Sequence, residues 1–153
     1  MYKRQAFDLA EKEAVIAKQT NGYSVGNLAE VCKIHSIYLI HISTDFVFDG
    51  TKSTPYLTEE KTSPINVYGE SKALGEELVL KVLPKNSCII RTSWVYSTHG
   101  NNFVKTMLSL MENKPELGII SDQIGTPTYA KALAEACLHA AIERIIGIYH
   151  WTD

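Results

Sequence analysis

The segment Ile37-Tyr38-Leu39-Ile40-His41-Ile42-Ser43-Thr44-Asp45 stays almost wholly apolar as far as Ile42 and then turns abruptly hydrophilic. A strand with one wetted face alternates polar and apolar residues. A strand covered on both faces does not, and that second pattern belongs to parallel sheets flanked by helices. The segment therefore reads as a buried strand whose carboxyl end presents Ser43, Thr44 and Asp45.

The flanks agree with a layered α/β chain. Upstream, Ala14, Ala17, Asn21, Ser24, Val25, Leu28 and Cys32 recur at helical spacing, so 11–33 reads as one helix. Gly22 and Gly26 inside it each cost roughly 1 kcal/mol relative to alanine and imply close packing on a sheet. Asn21 falls on the apolar face, where a buried amide needs partners. Downstream, a loop containing Asp49-Gly50 and Pro55-Tyr56 closes at Ser63-Pro64; Tyr56 reads as packing. Residues 68–82 form a second helix with Leu74, Leu78 and Val82 on one face and Pro84 just beyond its end. The spacing then predicts a strand over 88–96, a helix over 103–112, a short strand over 117–121, a helix over 129–144 and a terminal strand from 147. Helix and strand in alternation imply a doubly wound parallel sheet of Rossmann type. Ligands of such sheets gather at the carboxyl ends of the strands, here 43–45 and 93–96.

The chain has 153 residues, 45% hydrophobic and 21% charged, with a net charge of −2. That is enough for a substantial core. The basic residues are scattered, so nothing suggests a nucleic-acid or membrane-surface partner. No apolar run is long enough to span a bilayer. Cys32, Cys88 and Cys137 are widely separated and sit in apolar or helical runs, as expected of free thiols in a reducing, cytoplasmic setting. The five histidines show no metal-ligand spacing with each other or with the cysteines. Residues 1–5 read as an adaptor-derived scar. The last residues, 147–153, read as a strand without a packing partner, so both ends look cut. The expected organisation is 6–97 as the C-terminal half of a dinucleotide-binding domain, and 98–153 as part of a substrate-binding region with closing strands.

Tyr68 and Lys72 lie one helical turn apart and so share a face. A free phenol has a pKa of about 10, and a neighbouring ammonium lowers it, turning tyrosine into a usable general acid. The hydroxyl of Thr44 can hydrogen-bond the same substrate oxygen. A Tyr-x-x-x-Lys pair is weak by itself; the strand end at 43–45 and the helix start at Tyr68 give it context.

Taken together, 43–50, 67–72 with Gly75-Glu76, 91–96, 102–107, 122–130 and 147–153 resemble the dTDP-4-dehydrorhamnose reductase branch of the extended short-chain dehydrogenase/reductase family. The matching stretches occur in the family's order over nearly the whole chain. The resemblance implies NADPH- or NADH-dependent reduction of the C4 ketone of a dTDP-sugar. It makes Tyr68 the proton donor. Lys72 would lower the Tyr68 pKa and hold the nicotinamide ribose, and Thr44 would bind substrate with Asp45 beside it. Trp94 would pack on the deoxysugar. The residues alone leave Trp94 open as core and Asp45 as a turn or cap residue. The family also implies Mg2+ in dimer assembly and a homodimer.

One departure stands out. The nine glycines contain no G-x-G-x-x-G arrangement, so the phosphate cradle of a dinucleotide site and the first strands of the sheet are expected to be missing. Related 4,6-dehydratases follow Thr-Asp with a glutamate, where this chain has Phe46; 4-epimerases carry a serine-rich strand end. A rival of another class is a regulatory module resembling the β subunit of methionine adenosyltransferase. The Thr44, Tyr68, Lys72 and Trp94 set favours catalysis, because function follows the site more than the fold.

Overall fold

The computed structural model describes residues 7–119 and 121–153, so the segment 1–5 lies outside the described residues. Element order is α1 (Phe7–Lys12), α2 (Ala14–Lys18), a π-helical turn (Gln19–Tyr23), α3 (Ser24–Ile34), β1 (Leu39–Thr44), a 3-10 turn (Asp45–Val47) and α4 (Val67–Val82). There follow β2 (Ser87–Thr92), β3 (Val95–Tyr96), α5 (Phe103–Asn113), β4 (Thr128–Tyr129), α6 (Ala130–Ile142) and β5 (Gly147–His150).

Strands β1, β2 and β5 form a parallel sheet in the order β1-β2-β5. The alternation of side chains across it separates two cores. On one face Ile89, with Leu39 and Ile148 beside it, packs against Ala29 and Cys32 of α3 and Val79 of α4. On the other, Cys88 and Ile90, with Ile40 and Ile42, pack against Leu133 and Ala140 of α6. Helices on both faces of a parallel sheet make this the doubly wound α/β architecture expected. All six residues of β2 are buried, as a central strand requires. The outer edge of β1 has no strand partner among the described residues.

Several elements depart from expectation. The 11–33 helix is broken into α1, α2, the π-helical turn and α3, with the backbone of Glu13 leaving helical angles between the first two. Gly22 and Gly26 face a helix and not the sheet. A β-carbon on Gly22 would lie 2.6 Å from Leu74 Cδ2, and one on Gly26 would lie 2.9 Å from Leu78 Cδ1. The missing side chains let α3 and the π-helical turn press against α4.

The 88–96 strand stops at Thr92, because Trp94 adopts a left-handed backbone (φ 44°) that turns the chain away. Val95 and Tyr96 then pair with Thr128 and Tyr129 in a separate two-stranded sheet. Residues 117–119 and 121 are not a strand, pairing with no strand among the described residues, and Ile120 lies outside the described residues. The terminal strand does have a partner: Cys88 to Arg91 of β2 pair with Gly147 to His150.

Candidate active site

The helix that carries Tyr68 and Lys72 starts where Asn66 caps it, accepting a hydrogen bond from the Gly69 amide at 2.7 Å. Gly69 is needed for a steric reason: a β-carbon there would lie 2.1 Å from the Phe46 carbonyl oxygen. The first turn of α4 is thus held directly against the 3-10 turn that follows β1. Parallel register sets Thr44 beside Thr92, so the ends of β1 and β2 share one rim of the sheet.

At that rim the sequence-nominated residues converge. Tyr68, buried apart from 8% of its surface, lies beside Thr44, whose side chain pulls the phenol's pKa down. The Thr44 hydroxyl donates to Asp45 Oδ1 at 2.9 Å and accepts from the Phe46 amide at 3.3 Å. Phe46 meets Tyr68 edge-on, with ring centroids 6.0 Å apart. One helical turn along, Lys72 Nζ donates to the Ile42 carbonyl at 2.7 Å and stands 3.5 Å from His41 Nε2. Four helical residues rise about 6 Å and two strand residues about 6.6 Å, so the Tyr68–Lys72 spacing matches the Thr44–Ile42 spacing along β1.

The electrostatics differ from the sequence expectation in one respect. Burial pushes the Tyr68 phenol above its ordinary value; the Thr44 hydrogen bond opposes this and the Asp45 charge adds to it. A phenol lowered by Lys72 is therefore not the balance found, because loss of hydration outweighs the other influences. Burial likewise pushes the Asp45 carboxyl up, partly offset by the hydrogen bond from Thr44. Asp45 opens the 3-10 turn, but the capping atom is the Thr44 hydroxyl.

Trp94 is not core. It stands just past the end of β2 with 43% of its surface exposed and its indole against Gly125. Ser93 Oγ donates to the Thr126 carbonyl at 2.5 Å and the Thr128 amide donates to the Trp94 carbonyl at 3.3 Å. Thr92 and Thr128 hydroxyls bond at 2.9 Å. The 122–128 loop is thereby stitched to the strand end.

Two groups behind the site escaped the sequence reading. The Asn21 amide donates to Ser71 Oγ at 3.1 Å, and Ser71 donates to the Tyr68 carbonyl at 2.7 Å. This supplies the partner that a buried Asn21 required; Ser71, three residues after the tyrosine, was the available signal. Arg91 forks onto Glu76, with Nη2 to Oε2 at 2.7 Å and Nε to Oε1 at 3.0 Å, both side chains 4% exposed. An arginine inside an apolar strand must find such an acid, and Glu76 continues the Tyr68, Lys72 series by another four residues.

Among the described residues there is no group of three or more His, Cys, Asp or Glu that could hold a metal ion. No described helix is long and apolar enough to cross a membrane.

Comparison with known proteins places this geometry. The chain is 46% identical over 151 residues to the dTDP-4-dehydrorhamnose reductase of Aggregatibacter actinomycetemcomitans, covering 95% of this chain and 51% of that protein. It is 49% identical over 144 residues to the spore coat polysaccharide biosynthesis protein SpsK of Bacillus subtilis (strain 168), covering 94% and 50%. The dTDP-4-dehydrorhamnose reductase of Bacillus anthracis str. Ames, solved in complex with NADP, superposes with a TM-score of 0.92 at 37% identity, covering 97% of this chain and 53% of that one. The chain thus spans about half the length of the curated relatives it matches. The RmlD substrate binding domain matches residues 3–153, and the chain belongs to that family.

Proposed function

We propose that the whole protein carrying this chain is an NAD(P)H-dependent oxidoreductase that reduces the C4 ketone of dTDP-4-dehydro-L-rhamnose to dTDP-L-rhamnose, a precursor for polysaccharide. The observation that carries the reading is the buried Tyr68 phenol beside Thr44 at the rim of the sheet, with Lys72 fixed on the Ile42 carbonyl one turn behind. The relatives' names, given above, support the same chemistry.

Burial keeps the phenol protonated at neutral pH, as a proton donor must be. The Phe46 amide holds the Thr44 oxygen in place, and the Thr44 hydroxyl turns its one hydrogen from Asp45 Oδ1 onto the ketone oxygen, aligning it with the phenol. As C4 gains a hydride, its oxygen becomes an alkoxide far more basic than phenolate. The Tyr68 proton then passes to that oxygen and the alcohol forms. Trp94 offers its exposed indole as a platform for the deoxysugar ring.

The phenol and ammonium, one turn apart at the strand ends, fit the hydroxyls of a nicotinamide ribose. The glycine-rich turn that would cradle the phosphates is not among these 153 residues. When bound, the dihydronicotinamide supplies the hydride. The reading includes a cytoplasmic, homodimeric whole protein.

The test is direct. The whole protein is incubated with dTDP-4-dehydro-L-rhamnose and NADPH or NADH, and the product is identified by NMR. Stoichiometric cofactor oxidation with formation of dTDP-L-rhamnose is expected. An unchanged ketone with either cofactor would overturn the proposal.

A further inference from the structure

We infer that Gly125 is a positioning residue for the reaction, setting the tilt of the Trp94 indole through which the deoxysugar is held; the inference rests on the reading above. Trp94 leaves the end of β2 with a left-handed backbone that turns it off the line of the strand. Support comes from across the gap. A β-carbon built on Gly125 would lie 2.8 Å from both Cε2 and Cζ2 of the indole and 3.3 Å from Nε1. Carbon atoms in contact prefer about 3.5–4.0 Å, so even a methyl group cannot share this space with the ring as it stands.

Backbone freedom is not the reason for glycine here. Gly125 does not have the positive φ found at Gly50, Gly100 and Gly147. What requires it is the close approach of the ring. Retreat of the loop is limited by its ties to the strand end just after Gly125: Ser93 Oγ to the Thr126 carbonyl, Thr92 to Thr128 and the Thr128 amide to the Trp94 carbonyl. The yielding part is the indole, since 43% of the tryptophan's surface is exposed. A side chain at 125 therefore rotates the ring toward the space the sugar would occupy.

The experiment uses the whole protein and compares wild type, Gly125→Ala, Trp94→Ala and the double variant. Gly125→Ala is expected to raise KM for the dTDP-sugar about tenfold while kcat falls less than about threefold, the pattern of lost binding shared by ground and transition states. Once the indole is removed, adding Gly125→Ala should change kcat/KM by less than about twofold, because the two effects run through one ring. Should Gly125→Ala lower the melting temperature too far for assay, the Trp94→Phe and Trp94→Phe/Gly125→Ala pair replaces it. The smaller ring leaves room for the methyl, so the two are expected to share one KM within about twofold. An unchanged KM in Gly125→Ala, an additive loss in the Trp94→Ala background, or a marked KM difference within the Phe pair would overturn the inference. Wild-type protein that fails to reduce the sugar would instead sink the reading on which it rests.

Discussion

Replacing Glu76 with glutamine removes one charge from a pair that water hardly reaches. Arg91 and Glu76 are each 4% exposed and meet through two short contacts at 2.7 and 3.0 Å. Arg91 also donates to the Thr58 carbonyl at 3.3 Å and lies 4.9 Å from the centre of the Phe48 ring, so it cannot swing out without dismantling the 49–62 loop. Leaving one partner of a buried pair uncompensated costs about 3–5 kcal/mol. At about 2–4 °C per kcal/mol, Glu76→Gln should lower the melting temperature of the whole protein by about 6–20 °C. Apolar replacement of both partners, as in Glu76→Leu/Arg91→Met, should recover at least half of that loss, the Thr58 carbonyl being the group still unpaired. Calorimetry or thermal circular dichroism reads both variants. A Glu76→Gln protein melting within a degree or two of wild type would refute the reasoning, as would a double variant less stable than the single one. The pair also bolts α4 to β2 eight residues past Tyr68, so kcat should fall in Glu76→Gln along with stability.

Gly69→Ala should behave opposite to its helix propensity. Alanine in a helix usually gains about 1 kcal/mol over glycine, but here the new carbon meets the Phe46 carbonyl oxygen at 2.1 Å. Overpacking of that kind costs about 1–3 kcal/mol, so melting temperature and kcat should both drop; a rise in either contradicts the close approach. For pH, burial pushes the Tyr38 phenol up to about 12, and its hydroxyl donates to the Ile145 carbonyl. The unfolded chain ionises first, near the ordinary phenol value of 10.0, so the stability Tyr38 contributes is complete below that pH and drains away as pH rises toward about 12. In Tyr38→Phe the loss of melting temperature across this window should be smaller; an identical alkaline decline would exclude Tyr38 as its source.

What could be seen in the chain beforehand was local. The unbroken apolar run before Ser43 marks β1, and the i, i+4 spacing after Asn66 marks α4 with Tyr68 and Lys72 on its buried side. Antiparallel packing of α4 on β1 was enough to bring Thr44, Tyr68 and Lys72 together. What stayed hidden depends on distant partners. The strand ends at Thr92 because Val95 and Tyr96 pair with residues 128 and 129, a contact with no trace in the apolar run itself. Gly22 and Gly26 are shaped by Leu74 and Leu78, some fifty residues away. The Tyr68 phenol is governed by burial, which emerges only when Phe46, Val67 and the α1–α2 segment close around it. The spacing of Tyr68 and Lys72 alone suggested the opposite sign.

The central claim is that Tyr68 hands a proton to a sugar ketone at the rim of the sheet. In the whole protein, Tyr68→Phe removes the phenolic hydroxyl and keeps the ring against Phe46. Single-turnover reduction of dTDP-4-dehydro-L-rhamnose at saturating NADPH should slow by about 100-fold or more, the usual contribution of a positioned general acid, with dTDP-sugar affinity changed less than about threefold. Turnover within about threefold of wild type would contradict it.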